Sequence, residues 1–201
     1  MKMIETMAEL EAVYDAPPVQ TSLDKVADRL TPLYRQWIMA SRFCVLSTVG
    51  PEGTDATPRG DDGPVVVEID PKTLAMPDWR GNNRIDSLRN IVRDDRVSLM
   101  FMVQGSGNVV RVNGRARLTA DPEMTGRFEQ HGRHPRSVII VEIGEVYFQC
   151  AKAIMRSRIW SGEDESGTVP TAGQMVREAD AGFDAEDYDI HYAERAQDRM
   201  W

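Results

Sequence analysis

Two arginine-bearing stretches hold the residue types that grip a small anion. Residues 74–91 read LAMPDWRGNNRIDSLRNI, so Pro77, Gly81, Asn82 and Asn83 lead into Arg84, Asp86, Ser87 and Arg89. Asn83 predicts a helix N-cap, with Asp86 at the third helical position. Arg84, Ser87 and the free first-turn N–H groups would then gather at a helix start. Such a start offers donors and a positive dipole end to phosphate, and an arginine adds two parallel hydrogen bonds. The same stretch also reads as a capped surface helix, its arginines solvated or paired with Asp94 and Asp95. The second stretch is Ala56-Thr-Pro-Arg-Gly-Asp-Asp-Gly63, where Pro58 and Gly60 would hold Arg59 on a stiff backbone.

Other chemistry-bearing residues fit plainer roles. His131 and His134 have the i, i+3 spacing of two metal ligands. No third ligand is near, and Gly132 and Pro135 break the helix, so a surface turn is expected. Asp61 and Asp62 read as loop residues, with Asp61 steering Arg59. Trp79 either covers a ligand or anchors the loop, and Arg111, Arg115 and Arg117 form a solvated or dimer-facing sheet surface. Gly105-Ser106-Gly107 lacks the strand-to-helix setting of a dinucleotide fingerprint. No residue stands out as an obligatory nucleophile or catalytic base.

The elements that must position these groups follow from periodicity. Residues 1–20 form a loose or helical arm ending in Ala16-Pro17-Pro18. Leu23, Val26, Ala27 and Leu30 predict an amphipathic helix capped by Thr21 or Ser22, and a second helix follows Pro32 through Leu33, Trp37 and Ile38. Strands are expected at 43–49, 65–69, 73–76, 97–103 and 109–118, with two more at 137–143 and 145–150 broken at Gly144. On 109–118, Val110, Val112, Gly114, Ala116 and Leu118 face one way, and Arg111, Asn113, Arg115 and Arg117 the other. Helices are expected at 83–93, with Ile85, Leu88 and Val92 buried, at 121–130 and near 172–179. Residues 181–201 are acidic and polar and read as a frayed or partner-dependent tail. The pattern is mainly β, an antiparallel barrel with added helices.

The chain has 201 residues, 24 Lys plus Arg against 32 Asp plus Glu, and a net charge of -8. That charge argues against general nucleic-acid or anionic-membrane binding, which wants a basic field, while allowing a local basic pocket. Cys44 and Cys150 lie in apolar runs and predict two buried thiols in a reducing compartment. No apolar stretch nears the ~20 residues of a membrane helix, and the first residues do not form a secretory signal. A cytoplasmic protein is expected.

The order of motifs carries a resemblance. Phe43-Cys-Val-Leu-Ser-Thr48 precedes Thr57-Pro-Arg-Gly-Asp61, Leu74-Ala-Met-Pro77 and Gly81-Asn-Asn-Arg-Ile-Asp-Ser87. Arg96-Val-Ser-Leu-Met-Phe101, Arg111-Val-Asn-Gly-Arg-Ala116, Phe148-Gln-Cys-Ala-Lys-Ala153 and Arg156-Ser-Arg-Ile-Trp160 follow. From about Arg42 to Trp160 the chain resembles the pyridoxamine 5′-phosphate oxidase-like flavoproteins of the FMN-binding split-barrel fold. It looks closest to a bacterial subgroup of unassigned activity that carries the Pro-Arg-Gly-Asp and Gly-Asn-Asn-Arg motifs.

The resemblance implies a six-stranded antiparallel split β-barrel in one domain, with arm 1–40, core 41–160 and extension 161–201. It implies a homodimer with FMN at the interface and a small-molecule substrate. Arg59, Asn83, Arg84 and Ser87 would hold the phosphate, with Met76 and Pro77 near the ring. Lys152, Arg156 and Trp160, with Arg158, are candidates to reach the other subunit's FMN. Redox chemistry through the flavin is implied, so the expectation is an FMN-dependent oxidoreductase. The rival readings are a non-catalytic flavin-binding sensor, or a split-barrel enzyme using deazaflavin or haem. True pyridoxamine phosphate oxidases carry Ser-Arg-Lys in the phosphate loop, where this chain has Asn-Asn-Arg-Ile-Asp-Ser. They also carry an Arg-Gln pair where Asn108 and Val109 stand, so vitamin B6 phosphate oxidation is not expected.

Overall fold

The computed structural model describes residues 1–14 and 16–201; Asp15, in the expected arm, lies outside the described residues. The chain opens with three short helices, α1 (Met7–Val13), α2 (Gln20–Asp24) and α3 (Pro32–Met39). Strands β1 (Phe43–Gly50), β2 (Gly53–Gly60), β3 (Val67–Asp70) and β4 (Thr73–Asp78) follow, then α4 (Asp86–Arg93). Next come β5 (Arg96–Met102), β6 (Val109–Thr119), the single-turn α5 (Pro122–Thr125) and β7 (Ser137–Gln149). Helices α6 (Lys152–Ser157), α7 (Ala172–Ala179) and α8 (Ala185–Gln197) close the sequence.

All strand pairs are antiparallel, in one sheet ordered β2-β1-β5-β6-β7-β4-β3. This corrects the expected six-stranded split β-barrel. Among the described residues there are seven strands, and the sheet is open, with no backbone ladder joining its two ends. Both edges suit their place. β2 carries Pro58, which has no N–H to donate, and β3 is four residues long with a bulge between Glu68 and Asp70. The period-2 test missed β2 because its residues, GTDATPRG, do not alternate apolar with polar.

β7 is one strand rather than two. The β6–β7 register shifts between Asn113 and Gly114, which absorbs Gly144 as a bulge residue. Gly114 is required there, since a Cβ would sit 2.0 Å from the Glu142 carbonyl oxygen. The inward set on β6 is as the alternation predicts, with Val110, Val112 and Ala116 buried.

One main core packs against the sheet. Leu46, Leu74, Met76, Leu99, Phe101, Val112 and Ile139 are inaccessible or nearly so, and Ile38 from α3 and Ile91 from α4 pack into the same cluster. Val65 and Val66 join this core from the turn before β3. Four further expectations are corrected. The helix through Leu30 stops at Asp24, because Ala27 pairs with Val146 on β7 instead. The helix over 121–130 is one turn, with Phe128 drawn into a small cluster beside Ala75 and Val138. Residues 181–201 are largely the helix α8, and Cys150 is exposed, while Cys44 is buried.

Candidate anion-binding cleft

β2 and β4 end side by side, although they stand first and sixth in the sheet order. Arg59, opposite Cys44 near the end of β2, donates from Nη1 to Oδ1 of Asp78, the last residue of β4, at 2.5 Å. Both side chains are 18% exposed, and Arg59 Nε is buried without a hydrogen-bond partner. Asp61 does not steer Arg59, correcting that expectation. It accepts from Trp79 Nε1 at 2.6 Å and from Gln130 Nε2 at 2.9 Å, so Trp79 is anchored by its own N–H. Burial pushes the Cys44 thiol up to about 12, against the opposing charge of Arg59, so it stays protonated and is no nucleophile.

The loop from Trp79 to Ile85 turns back across this end of the sheet. Asn83 (φ 66°) and Ile85 (φ 54°) both occupy the left-handed region. For a β-branched residue that conformation is strained, and strain of this kind collects at ligand sites. The expected Asn83 cap is corrected: α4 begins at Asp86 behind Ile85, with no side-chain cap, and Asn82 Oδ1 accepts from the Arg84 N–H at 3.1 Å. The later start also rotates the buried stripe. Ser87 and Ile91 are buried, whereas Ile85 and Val92 are exposed.

Arg59, Asn83, Arg84 and Ser87 line one cleft of about 1340 Å³, as their common assignment requires. Arg84 is exposed and donates from Nε to Asp86 Oδ2 at 2.9 Å. Ser87 Oγ donates to Asp55 Oδ2 on β2 at 2.5 Å, which ties α4 to the hairpin beneath it. With Arg80, Arg133 and Arg136, five arginines face three aspartates around the cleft, a local excess of positive charge in a chain of net charge -8. A guanidinium has five donors, so Arg59 keeps spare capacity after its bond to Asp78.

Other expected site residues lie elsewhere. Met76 is 1% exposed inside the core, and neither Met76 nor Pro77 lines the cleft, because β4 is covered on both faces and paired with β7. Expected near the flavin ring, both stand buried in β4 rather than on the cleft lining. Lys152 and Arg156 sit on α6, and Trp160 donates from Nε1 to the Ser106 carbonyl at 2.8 Å, at the β5–β6 hairpin. None of the three lines the cleft of its own chain.

Sequence reading missed the opposite wall. Arg133, His134 and Arg136 lie between α5 and β7, and Met200 and Trp201 come back from the end of α8. His134 donates from Nδ1 to the Phe128 carbonyl at 2.6 Å, and His131 (φ 51°) stacks on Trp201. The available signals were two arginines in one short loop and an apolar Met-Trp pair after a polar helix.

The family model described as pyridoxamine 5′-phosphate oxidase matches residues 30–150. A search of curated proteins finds no match. Among solved structures, HupZ from Group A Streptococcus is 15% identical, covering 58% of this chain and 91% of its own, at a TM-score of 0.48. A provisional pyridoxamine 5′-phosphate oxidase from Lactobacillus delbrueckii is 20% identical, with 60% and 95% coverage and a TM-score of 0.47. A Clostridium acetobutylicum protein related to general stress protein 26, of the pyridoxinephosphate oxidase family, is 8% identical, with 58% and 84% coverage and a TM-score of 0.45.

Proposed function

The chain belongs to the pyridoxamine 5′-phosphate oxidase family, and from that premise we propose that it is an FMN-binding oxidoreductase acting on a small, unidentified substrate. The observation that carries the reading is Arg59. Its guanidinium is fixed at the cleft floor by Asp78, with Nε buried and unpartnered, among an excess of arginines. A phosphate dianion supplies the acceptors such a group lacks.

In this proposal Arg59 and Arg84 hold the phosphate, Asn83 adds an amide donor, and the Ser87 hydroxyl joins the grip by turning its one proton from Asp55 to the phosphate. The strained loop brings backbone N–H groups toward the same place, as phosphate sites at helix starts do. Asp78 orients Arg59 and neutralises part of its charge, so the cleft stays compact when empty. Bound flavin would supply hydride or electron transfer, and the protein would orient it and limit water access. Met76 and Pro77 contribute by shaping β4. Lys152, Arg156 and Trp160 are assigned to the cleft of a second copy, since they stand outside their own.

The test is spectroscopic. Purified protein should show visible flavin bands, or gain them on FMN addition, and Arg59→Ala should weaken FMN by roughly 10–100-fold, the loss expected for a charge-assisted contact. Colourless protein that does not bind FMN would sink the reading. Mass spectrometry of the extracted ligand separates FMN from deazaflavin or haem. Anaerobic bleaching by NADH or NADPH, followed by turnover with an acceptor, separates an oxidoreductase from a flavin carrier.

A further inference from the structure

Residues 198–201 follow α8 and come back over the sheet to the cleft. Arg133 Nη1 donates to the Trp201 carbonyl at 2.7 Å and to the Asp198 carbonyl at 3.2 Å. Both acceptors are main-chain atoms, so Arg133 fixes the course of the segment rather than one side chain. The Trp201 indole meets Trp79 edge-on, with centroids 5.5 Å apart at 87°, and stacks on His131 at 6.0 Å and 27°. The receiving surface is held independently. Trp79 is pinned to Asp61, and His131 sits in a tight turn closed by the Gln130–Arg133 bridge.

Met200 and Trp201 line both the 1340 Å³ cleft and an adjoining cavity of about 770 Å³ that reaches Asp62 and His131. The segment therefore stands between the two spaces, together with Gly60 and Arg133, which also line both. Behind it, α8 packs on α7 through Asp189, which accepts from the Gly173 N–H at 2.9 Å and from the Thr171 hydroxyl. Ile190 and Tyr192 remain exposed. The aromatic contacts and the Arg133 bonds join this hairpin to the cleft wall, and both cysteines are free, so no disulfide does so.

We infer that residues 198–201 form a wall of the ligand cleft, with Trp201 a ligand-contacting residue and Arg133 the positioning residue that holds it. The inference rests on the cleft being the ligand site. Trp201 offers an apolar face to a planar ligand bound beside Trp79. The contact then lengthens the ligand's residence time, and it is made within one chain.

The test uses the full-length protein with Trp37→Phe and Trp160→Phe, carrying either Trp201→Phe or Trp201→Ala, so that Trp79 is the sole indole. Circular dichroism and thermal melting check that each variant is folded. Acrylamide should quench Trp79 about twofold more strongly in Trp201→Ala than in Trp201→Phe. In protein that keeps Trp37 and Trp160, FMN should dissociate about three- to tenfold faster from Trp201→Ala and from Arg133→Ala, the range expected for one lost aromatic contact. Trp201→Phe should restore the slow rate. Equal quenching of Trp79, or equal FMN dissociation from all variants, overturns the inference. If FMN binds none of them, the proposed function fails, and Trp79 quenching alone decides whether the wall exists.

Discussion

Arg59 on β2 and Asp78 on β4 meet at 2.5 Å although their strands stand first and sixth in the sheet. Where a closed barrel would use a backbone ladder, this sheet joins its curled ends with an ion pair and with the Trp79–Asp61 bond beside it. That leaves a seam, and the seam is where the arginines gather.

The seam pair should be energetically coupled. A double-mutant cycle with Arg59→Ala and Asp78→Ala, read by urea unfolding, should give an interaction of roughly 1–3 kcal/mol. That range takes the cost of breaking a buried pair, reduced for the partial exposure of both partners. A coupling near zero would show that the pair does not hold the sheet ends together.

With Ser87 in the proposed phosphate grip, Ser87 and Asp55 should make opposite contributions to anion binding. Asp55 takes the Ser87 hydroxyl and places a negative charge on the cleft wall. Asp55→Ala should therefore tighten FMN severalfold at low salt, with the gain shrinking as ionic strength rises. Ser87→Ala should weaken FMN and cost about 1–2 kcal/mol of stability through the unpaired carboxylate. An unchanged FMN affinity in both variants removes Ser87 from the site.

The bulge glycine should tolerate no side chain. Gly114→Ala sets a Cβ 2.0 Å from a backbone oxygen that cannot move without breaking the ladder. A loss of about 3 kcal/mol, or insoluble protein, is expected. Gly63→Ala, with open space around it, should melt within a degree or two of the parent. Similar melting of both variants would contradict the bulge geometry.

The two cysteines should separate cleanly. Cys150 is exposed and should react with a thiol reagent at pH 8, while Cys44 should react only after unfolding. Burial raises the folded Cys44 thiol to about 12, whereas the unfolded thiol releases its proton near ~8.5. The folded state thus holds the proton that the unfolded state gives up, and stability from this group falls as pH rises above about 8.5. Cys44→Ala should flatten that alkaline slope, and a slope equal to the parent's would show another group to be responsible.

The homodimer proposal predicts complementation. Arg59→Ala protein and Lys152→Ala/Arg156→Ala protein should each bind FMN weakly. After co-refolding, mixed dimers should regain about one tight site in two, because one cleft then has every residue intact. No recovery would place Lys152 and Arg156 outside the partner's site.

Local physics made much of this protein legible in its sequence. Alternation on 109–118, the nearly continuous apolar run on 97–103, the strand-forming residues of 43–49, and Pro32 behind a Thr cap each specify an element with little help from elsewhere. Arg59, Asn83, Arg84 and Ser87 could be nominated together because their motifs are short and keep a fixed order, and the fold brings them to one cleft. The tertiary structure alone decided what depends on distant partners. Asp78 rather than Asp61 holds Arg59, Ile85 rather than Asn83 precedes the helix, and β2 becomes a strand because β1 offers it a ladder. The far wall from Arg133, Met200 and Trp201 was hidden for the same reason: those contacts span 68 residues of sequence, and no local period or propensity encodes a meeting at that range.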